Sequence, residues 1–567
     1  MILSILPAVL LAVRFARAEN DWSVPCLDGQ CSYDIQNGTA RGTLTLIGSS
    51  SAISDITPAA GWTILDCDPN AISQEIRLVC TGDEETCNHI YQGGCKSTLV
   101  RLPESCGQVP FARIVKDWTH KDQSIPSSVL KKIQRRQDGS TPVVRGIMLD
   151  TNWSAVDPEE KGNVTMLIQG SNAPDAPGNF TITPEQVAAA AALQRRGIFD
   201  SIKDILKKLS AFDFTKSGQA SPVDIEKSVT LLDQSVSCPA SGNIPAITES
   251  VKIGIDAKAH ADIGYGIAAV GTVIPPTLSE FGIFASVDAS VDGTLNIDAN
   301  AAVTFDSGKI PVFSQGIPGL DFKQFLTIGP SFVINVEGLA TVEAELNMAV
   351  NLAYNVTGAK MFFPPQAGSS SGNVVPADSN LKLSANPSGT AKATLEAHVI
   401  PGVQFGITVL GGKLAQATIG LDVDASAKLS MSLEASAEVS TEVSTNGTTG
   451  NTTTGSTKSG SVGGCIDLST GVAVKAGADG NFLSLFDAST SVTLVSKEFD
   501  LFNKCFGNTT AAATKRDELY VIPRHTLPIS RKHSRDVRRR GLTCTPSLGG
   551  ALTDLINEIV SAATISR

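Results

Sequence analysis

A few residue groupings in this 567-residue chain have types and spacings that chemistry could use. Gly368-Ser369-Ser370-Ser371-Gly372 spells the G-x-S-x-G of a nucleophile elbow, in which a sharp strand-to-helix turn exposes a serine Oγ. That motif needs a strand before it and a helix after it. Here it stands in a Gly/Ser/Pro tract between β-patterned runs, and reads as a chance spelling. Asp256, His260 and Asp262 fall on one parity of an alternating run, so they share one strand face and imitate a metal site. No further ligand is identifiable, and a solvated polar face explains the trio. His89, His120, His398, His525 and His533 are scattered. A Ser-His-Asp triad is assembled in space, so a hydrolase would be favoured only by a fold that sets His260 or His398 against a serine or carboxylate in a cleft. Gly-rich phosphate loops followed by Lys-Ser/Thr are absent from the sequence. The expectation is a protein that is not an enzyme, with no catalytic, cofactor-binding or metal residues.

Cysteine is more informative. Of eleven cysteines, seven (Cys26, Cys31, Cys67, Cys80, Cys87, Cys95 and Cys106) lie in the first 106 residues. Gaps of six, seven and ten residues separate Cys80, Cys87, Cys95 and Cys106, too wide for the tight pairs of a zinc site. The set reads as a disulfide framework. Seven is odd, so one member pairs with Cys238 or Cys544 or stays free. Cys465 and Cys505 flank the last apolar segment and are natural partners.

Disulfides imply an oxidising compartment, and the N-terminus agrees. Ile2 to Val13 is apolar except for Ser4 and Pro7, and Ala16-Arg17-Ala18 fits a signal-peptidase site, which predicts a signal peptide over 1–18. The run falls short of the roughly 20 residues of a membrane-spanning helix, and no later stretch supplies one. Asn-x-Ser/Thr sequons at Asn37, Asn152, Asn163, Asn179, Asn355, Asn446, Asn451 and Asn508 are candidate glycosylation sites. Dibasic pairs ending at Arg136, Arg196 and Arg516, and the triplet ending at Arg540, are candidate processing sites. The chain carries 45 Lys+Arg against 56 Asp+Glu, and this acidic total argues against a general nucleic-acid binder.

These features must be held by mainly β structure. From Val251 to about Phe506 apolar and polar residues alternate with period two over unusual lengths: Val287–Phe305, Ile334–Val356, Leu381–Val399 and Ala417–Val443. Successive strand side chains point to opposite faces, so each run has one dry face and one wet face. Loops such as Val273–Pro276, Ile317–Leu320 and Phe363–Pro365 join the runs in order. The fold class expected is a long antiparallel amphipathic meander packed as a two-layer sheet, with a Cys-rich N-terminal β module and a few short helices. Its dry faces pack on each other or under helices. Two alternatives stay open: a trough for a lipid-like ligand, or membrane insertion as β-hairpins.

The segments are a signal peptide (1–18), a Cys-rich β module (19–120), a mixed segment (121–248), the long-stranded domain (249–507), a basic linker with processing sites (508–540) and a C-terminal amphipathic helix (541–567). A short helix is expected from Pro126. Within the mixed segment, helices are predicted at about 184–212: Thr183-Pro184-Glu185 is a start signal, and Ile198 to Leu209 has apolar residues every three or four positions. In the last segment Leu552, Leu555, Ile556, Ile559 and Val560 form a helical stripe. The linker has nine Lys/Arg against three Asp/Glu over 511–540, which suits protease access.

The stretch Ile317-Pro-Gly-Leu-Asp-Phe-Lys-Gln-Phe-Leu-Thr-Ile-Gly-Pro-Ser-Phe332, with the alternating run behind it, resembles large secreted proteins of filamentous fungi that share an extended β-domain of unassigned function. The likeness covers about 250–506 and implies location and architecture, with no site residue to carry over. The expectation is a secreted glycoprotein with a structural or interaction role at the cell surface or extracellular matrix, with cell-wall or matrix components or a lipid-like ligand as candidate partners; the alternative is an extracellular lipid-binding or membrane-active (pore-forming-like) β protein.

Overall fold

The computed structural model describes residues 20, 22–133, 141–172, 221–239, 247–299, 303–343, 346–363, 371–377, 379–385, 391–412, 415–436, 461–481, 490–506 and 553–560. The expected signal peptide, the helices of about 184–212 and the linker lie outside them. The first nine strands are β1 (Gln30–Asn37), β2 (Ala40–Ile47), β3 (Ile53–Asp55), β4 (Trp62–Asp66), β5 (Gln74–Cys80), β6 (Leu99–Arg101), β7 (Phe111–Thr119), β8 (Arg145–Asp150) and β9 (Val164–Ser171). The next eight are β10 (Ser221–Cys238), β11 (Ile247–Ile274), β12 (Thr277–Ala299), β13 (Val303–Asp306), β14 (Ile310–Gly316), β15 (Leu320–Asp321), β16 (Leu326–Glu343) and β17 (Leu346–Phe363). The last seven are β18 (Ser371–Pro376), β19 (Ser379–Ala385), β20 (Ala391–Val409), β21 (Ala415–Ser436), β22 (Ser461–Asn481), β23 (Thr490–Phe506) and β24 (Thr553–Val560).

These strands form two long antiparallel sheets and one small one. The first long sheet runs β1-β2-β9-β11-β12-β17-β19-β24, with β10 also on β11 and β18 on β17. The second runs β13-β16-β20-β21-β22-β23, with β14 and β15 also on β16. Their dry faces share one core, in which Tyr265 of β11 meets Phe405 of β20 at 5.7 Å between ring centroids. The mainly β, two-layer antiparallel fold read from the alternation is therefore the observed one. Along β21 the rule is strict: Ala417, Ile419, Leu421, Val423, Ala425, Ala427, Leu429 and Met431 are buried, and the even positions between them are not.

The continuous runs conceal sheet changes. Val287–Phe305 passes from β12 in the first sheet to β13 in the second, Ile334–Val356 from β16 to β17, and Leu381–Val399 from β19 to β20. At the β16–β17 crossing alternation persists because both strands bury the same parity: Ile334, Val336, Ala340 and Val342, then Met348, Val350, Tyr354 and Val356. The meander is thus regular within β10-β11-β12 and β20-β21-β22-β23, and the chain crosses between the long sheets from β12 to β13, from β16 to β17 and from β19 to β20. Parity changes once inside β17: Met348, Val350, Tyr354 and Val356 are buried, then Ala359, Met361 and Phe363. A bulge there sets Val287 and Ala289 of β12 opposite Ala359 and Val356. Gly358 takes the left-handed φ of 61° that the bulge requires, and its N–H donates to Asp288 Oδ1 at 2.6 Å.

The Cys-rich stretch does not close on itself at residue 120. The small sheet, β3-β6-β7-β8-β5-β4, is completed by β8, and the hairpin β1–β2 belongs to the first long sheet through β9. One side of the small sheet (Ile53, Leu99, Phe111) joins the main core, where Phe111 and Trp153 flank Phe325. Its other side forms a second core around Ile76, Leu78, Val100 and Ile147. Glycine permits the close approach of the layers: a Cβ at Gly170 would fall 2.4 Å from Leu320 Cδ1.

Two helix expectations change. The helix after Pro126 is a single turn, Ser127–Leu130. The C-terminal stripe is not helical where described: Thr553–Val560 is β24, paired antiparallel with β19 from Ala385↔Thr553 to Ser379↔Val560. A short helix has little stability alone, whereas an open sheet edge offers a row of hydrogen-bond partners, so pairing overrides the periodicity. No helix among the described residues is long and apolar enough to cross a membrane.

Candidate functional site

Because both long sheets turn their apolar sides inward, most of their described polar side chains lie on the outward faces. On the first sheet, antiparallel register lines up one cross-strand row: Asp224 of β10 faces His260 of β11, His260 faces Ser290 of β12, and Ser290 faces Asn355 of β17. The adjacent row is Glu226, Lys258 and Asp292, with Lys258 Nζ 2.8 Å from Glu226 Oε1. Short side chains at Ser290, Ala353 and Ala377 lie among longer ones, leaving a groove of about 550 Å³.

His260 Nδ1 lies 2.7 Å from Asp224 Oδ1, and its Nε2 lies 3.5 Å from Asp262 Oδ2. The bond to Asp224 raises the imidazole pKa above its ordinary value against a smaller desolvation effect, and Asp262 adds to the rise. An Asp-His-Ser row in a groove is the arrangement that would favour a hydrolase. Its electrostatics do not serve one: a general base needs a free Nε2 lone pair beside the hydroxyl. Here Nε2 faces a carboxylate and the proton is held more tightly. Asp256, the third member of the apparent metal trio, accepts a bond from Asn296 Nδ2 at 2.7 Å instead. Among the described residues no group of three or more His, Cys, Asp or Glu is placed to hold a metal ion.

The second sheet carries a more buried cluster. His398 of β20 faces Glu337 of β16 and Ser426 of β21. Its Nδ1 is 2.7 Å from Asp424 Oδ1, its Nε2 is 3.3 Å from Glu396 Oε1, and Lys475 of β22 reaches Asp424 Oδ2 at 2.6 Å. Burial opposes the imidazolium, but the bonds to Asp424 and Glu396 outweigh it and hold the His398 pKa up at about 9. Burial likewise opposes the Asp424 carboxylate, and the bonds from His398 and Lys475 pull its pKa down to about 2. Burial pushes the Glu337 pKa up. Ser426 Oγ donates to the Gly471 carbonyl at 3.3 Å rather than to the imidazole. This is an ionic clamp across three strands.

The other sequence candidates fall as follows. Cys26–Cys31, Cys67–Cys106, Cys80–Cys87 and Cys465–Cys505 are disulfides. Cys95 is the odd thiol, buried and free. Burial pushes its pKa up to about 12, so it is not a nucleophile. The side chain of Cys238 and all of Cys544 lie outside the described residues. Asn37, Asn152, Asn163 and Asn355 are all exposed, while Asn179, Asn446, Asn451 and Asn508 lie outside. So do Arg136, Arg196, Arg516 and Arg540. Ser371 and Gly372, which end the apparent elbow, begin strand β18 rather than a helix. Asp224, Ser290, Glu337, Asp424 and Lys475 were not legible as site residues, because only register brings them to the histidines. No family model, curated protein or solved structure matches the chain, so the functional reading rests on its own residues.

Proposed function

We propose that this protein is a secreted glycoprotein with a structural or interaction role at the cell surface or in the extracellular matrix. The observation that carries the reading is the sealing of the two apolar faces against each other, which leaves polar, charged outer faces as the surface available to partners. The four disulfides among the described residues suit an oxidising compartment. The exposure of Asn37, Asn152, Asn163 and Asn355 suits a glycosylated chain. The resemblance to secreted fungal β-domain proteins agrees with that location, and cleavage after Arg516 and Arg540 would remove the basic linker.

The lipid-binding or membrane-active alternative is less well supported. A membrane β-barrel needs an apolar outward band, whereas these outward positions include Glu226, Lys258, Asp292 and Lys428. The exposed large apolar residues among those described, Val24, Ile72, Leu130, Val143 and Val375, come from separate stretches of the chain. Intact mass and N-terminal sequencing of the medium from expressing cells test the proposal. A chain starting near Glu19, heavier than its sequence by sugar, is expected; an intracellular, sugar-free chain would refute it. Incubation with liposomes should show no saturable binding.

A further inference from the structure

We propose that the groove on the first long sheet is a saccharide seat, and that its occupant is the N-linked sugar carried by Asn355 at its rim. The inference rests on the secreted-glycoprotein reading. Asn355-Val356-Thr357 is a sequon within β17. Strand alternation buries Val356 in the core and turns Asn355 and Thr357 outward, so a sugar on Asn355 Nδ2 must lie along the outer face.

What lies on either side of Asn355 fits a sugar. Toward β12, β11 and β10 is the 550 Å³ groove, within the range of about 300–1,000 Å³ that holds a compact ligand. Its side chains supply acceptors at Asp224, Glu226 and Asp292 and a donor at Lys258, the mixture that ring hydroxyls and an N-acetyl group use. The carboxylates disfavour an anionic ligand and can each accept a hydrogen bond from a ring hydroxyl. Toward β18, the register partner of Asn355 is Val375, a large apolar side chain left 44 % exposed. The C–H face of a pyranose ring attached at Asn355 would cover it.

The acceptor nitrogen is also available. On the same outer face Asn351 Nδ2 donates to Asp292 Oδ1 at 2.5 Å and Asn296 Nδ2 to Asp256 Oδ2 at 2.7 Å. Asn355 makes no side-chain hydrogen bond among the described residues, so substitution on its Nδ2 breaks none there. Contacts between one sugar and a polar groove are weak in free solution. Tethering raises the local sugar concentration to the millimolar order, at which weak contacts are populated.

The test uses the full chain secreted from a eukaryotic host, with site-resolved mass spectrometry of native and denatured samples treated with an endoglycosidase that cuts the chitobiose core. Asn355 should carry sugar, and its native release should be at least tenfold slower than release from the loop residue Asn152, the difference vanishing on denaturation. In the double variant Glu226→Ala/Lys258→Ala, whose exposed ion pair adds little to stability, native release at Asn355 should accelerate while Asn152 is unchanged. Sugar on the other sequons with Asn355 bare, release at Asn355 as fast as at Asn152, or no effect of the double variant would each overturn the seat while leaving the glycoprotein reading intact. A chain secreted without sugar at any sequon would overturn both.

Discussion

His398 Nδ1 donates to Asp424 Oδ1 across 2.7 Å, joining β20 to β21 at the centre of the second long sheet. The same carboxylate takes Lys475 from β22, and Glu396 and Glu337 complete the charged surroundings of the imidazole, with Lys428 beside Glu396. Such a clamp makes folding depend on pH. The folded pKa of His398 is raised from 6.5 to about 9, so its contribution is complete below 6.5 and is lost as pH rises through 9. Asp424 is lowered from 3.8 to about 2, so its contribution is complete above 3.8 and is lost as pH falls through 2. Thermal melting should therefore weaken between pH 7 and 9.5, by about 2 kcal/mol of unfolding free energy. His398→Gln should flatten that limb; an unchanged pH profile in the variant would remove the clamp from the account.

A second ion pair is buried more deeply. Arg101 Nη2 lies 2.6 Å from Asp55 Oδ2, the Asp55 side chain is wholly buried, and Arg101 Nη2 also donates to the Val24 carbonyl at 2.7 Å. The Cys26 N–H donates to the same carboxylate. Asp55 thereby fastens the segment before β1 to the small sheet. Asp55→Ala strands a buried guanidinium and should cost about 3–5 kcal/mol in urea unfolding. A cost under 1 kcal/mol would contradict this placement.

Cys465 and Cys505 occupy directly paired positions on β22 and β23 and close a 40-residue separation. Replacing both with serine should lower stability by about 2–4 kcal/mol, by freeing the unfolded chain. The measurement is the shift in denaturant midpoint between the oxidised wild-type chain and the variant, and equal midpoints would contradict the prediction.

Gly358 is held at φ 61° with open space where a Cβ would stand. Gly358→Ala should therefore cost about 1 kcal/mol from backbone conformation alone, and Gly358→Val more. Equal stability of all three proteins would show that the bulge had moved.

Much of this fold is written in local pattern. The parity of Ala417 to Met431 is the parity of burial, and the cysteines nearest the last apolar segment are bonded to each other. Register and sheet membership are not local. Ile334 to Val356 reads as one run although its halves lie in opposite layers, because each half obeys the same inside-outside rule. The stripe at Leu555, Ile556, Ile559 and Val560 satisfies a helical period, yet the free edge of β19 captures it as β24. His398 and Asp424 are 26 positions apart, and the row from Asp224 to Asn355 spans four strands, so neither site has a sequence signature.

The sealing of two dry faces is tested most directly on β21 by single cysteines placed at Thr418, Ser426 and Ser430 on one parity and at Ala417, Ala425 and Ala427 on the other. Thiol labelling of the native protein should be fast at the first three and at least a hundredfold slower at the second three, with the gap closing in denaturant. Equal labelling of both parities would contradict the two-layer core and, with it, the surface from which every functional proposal is built.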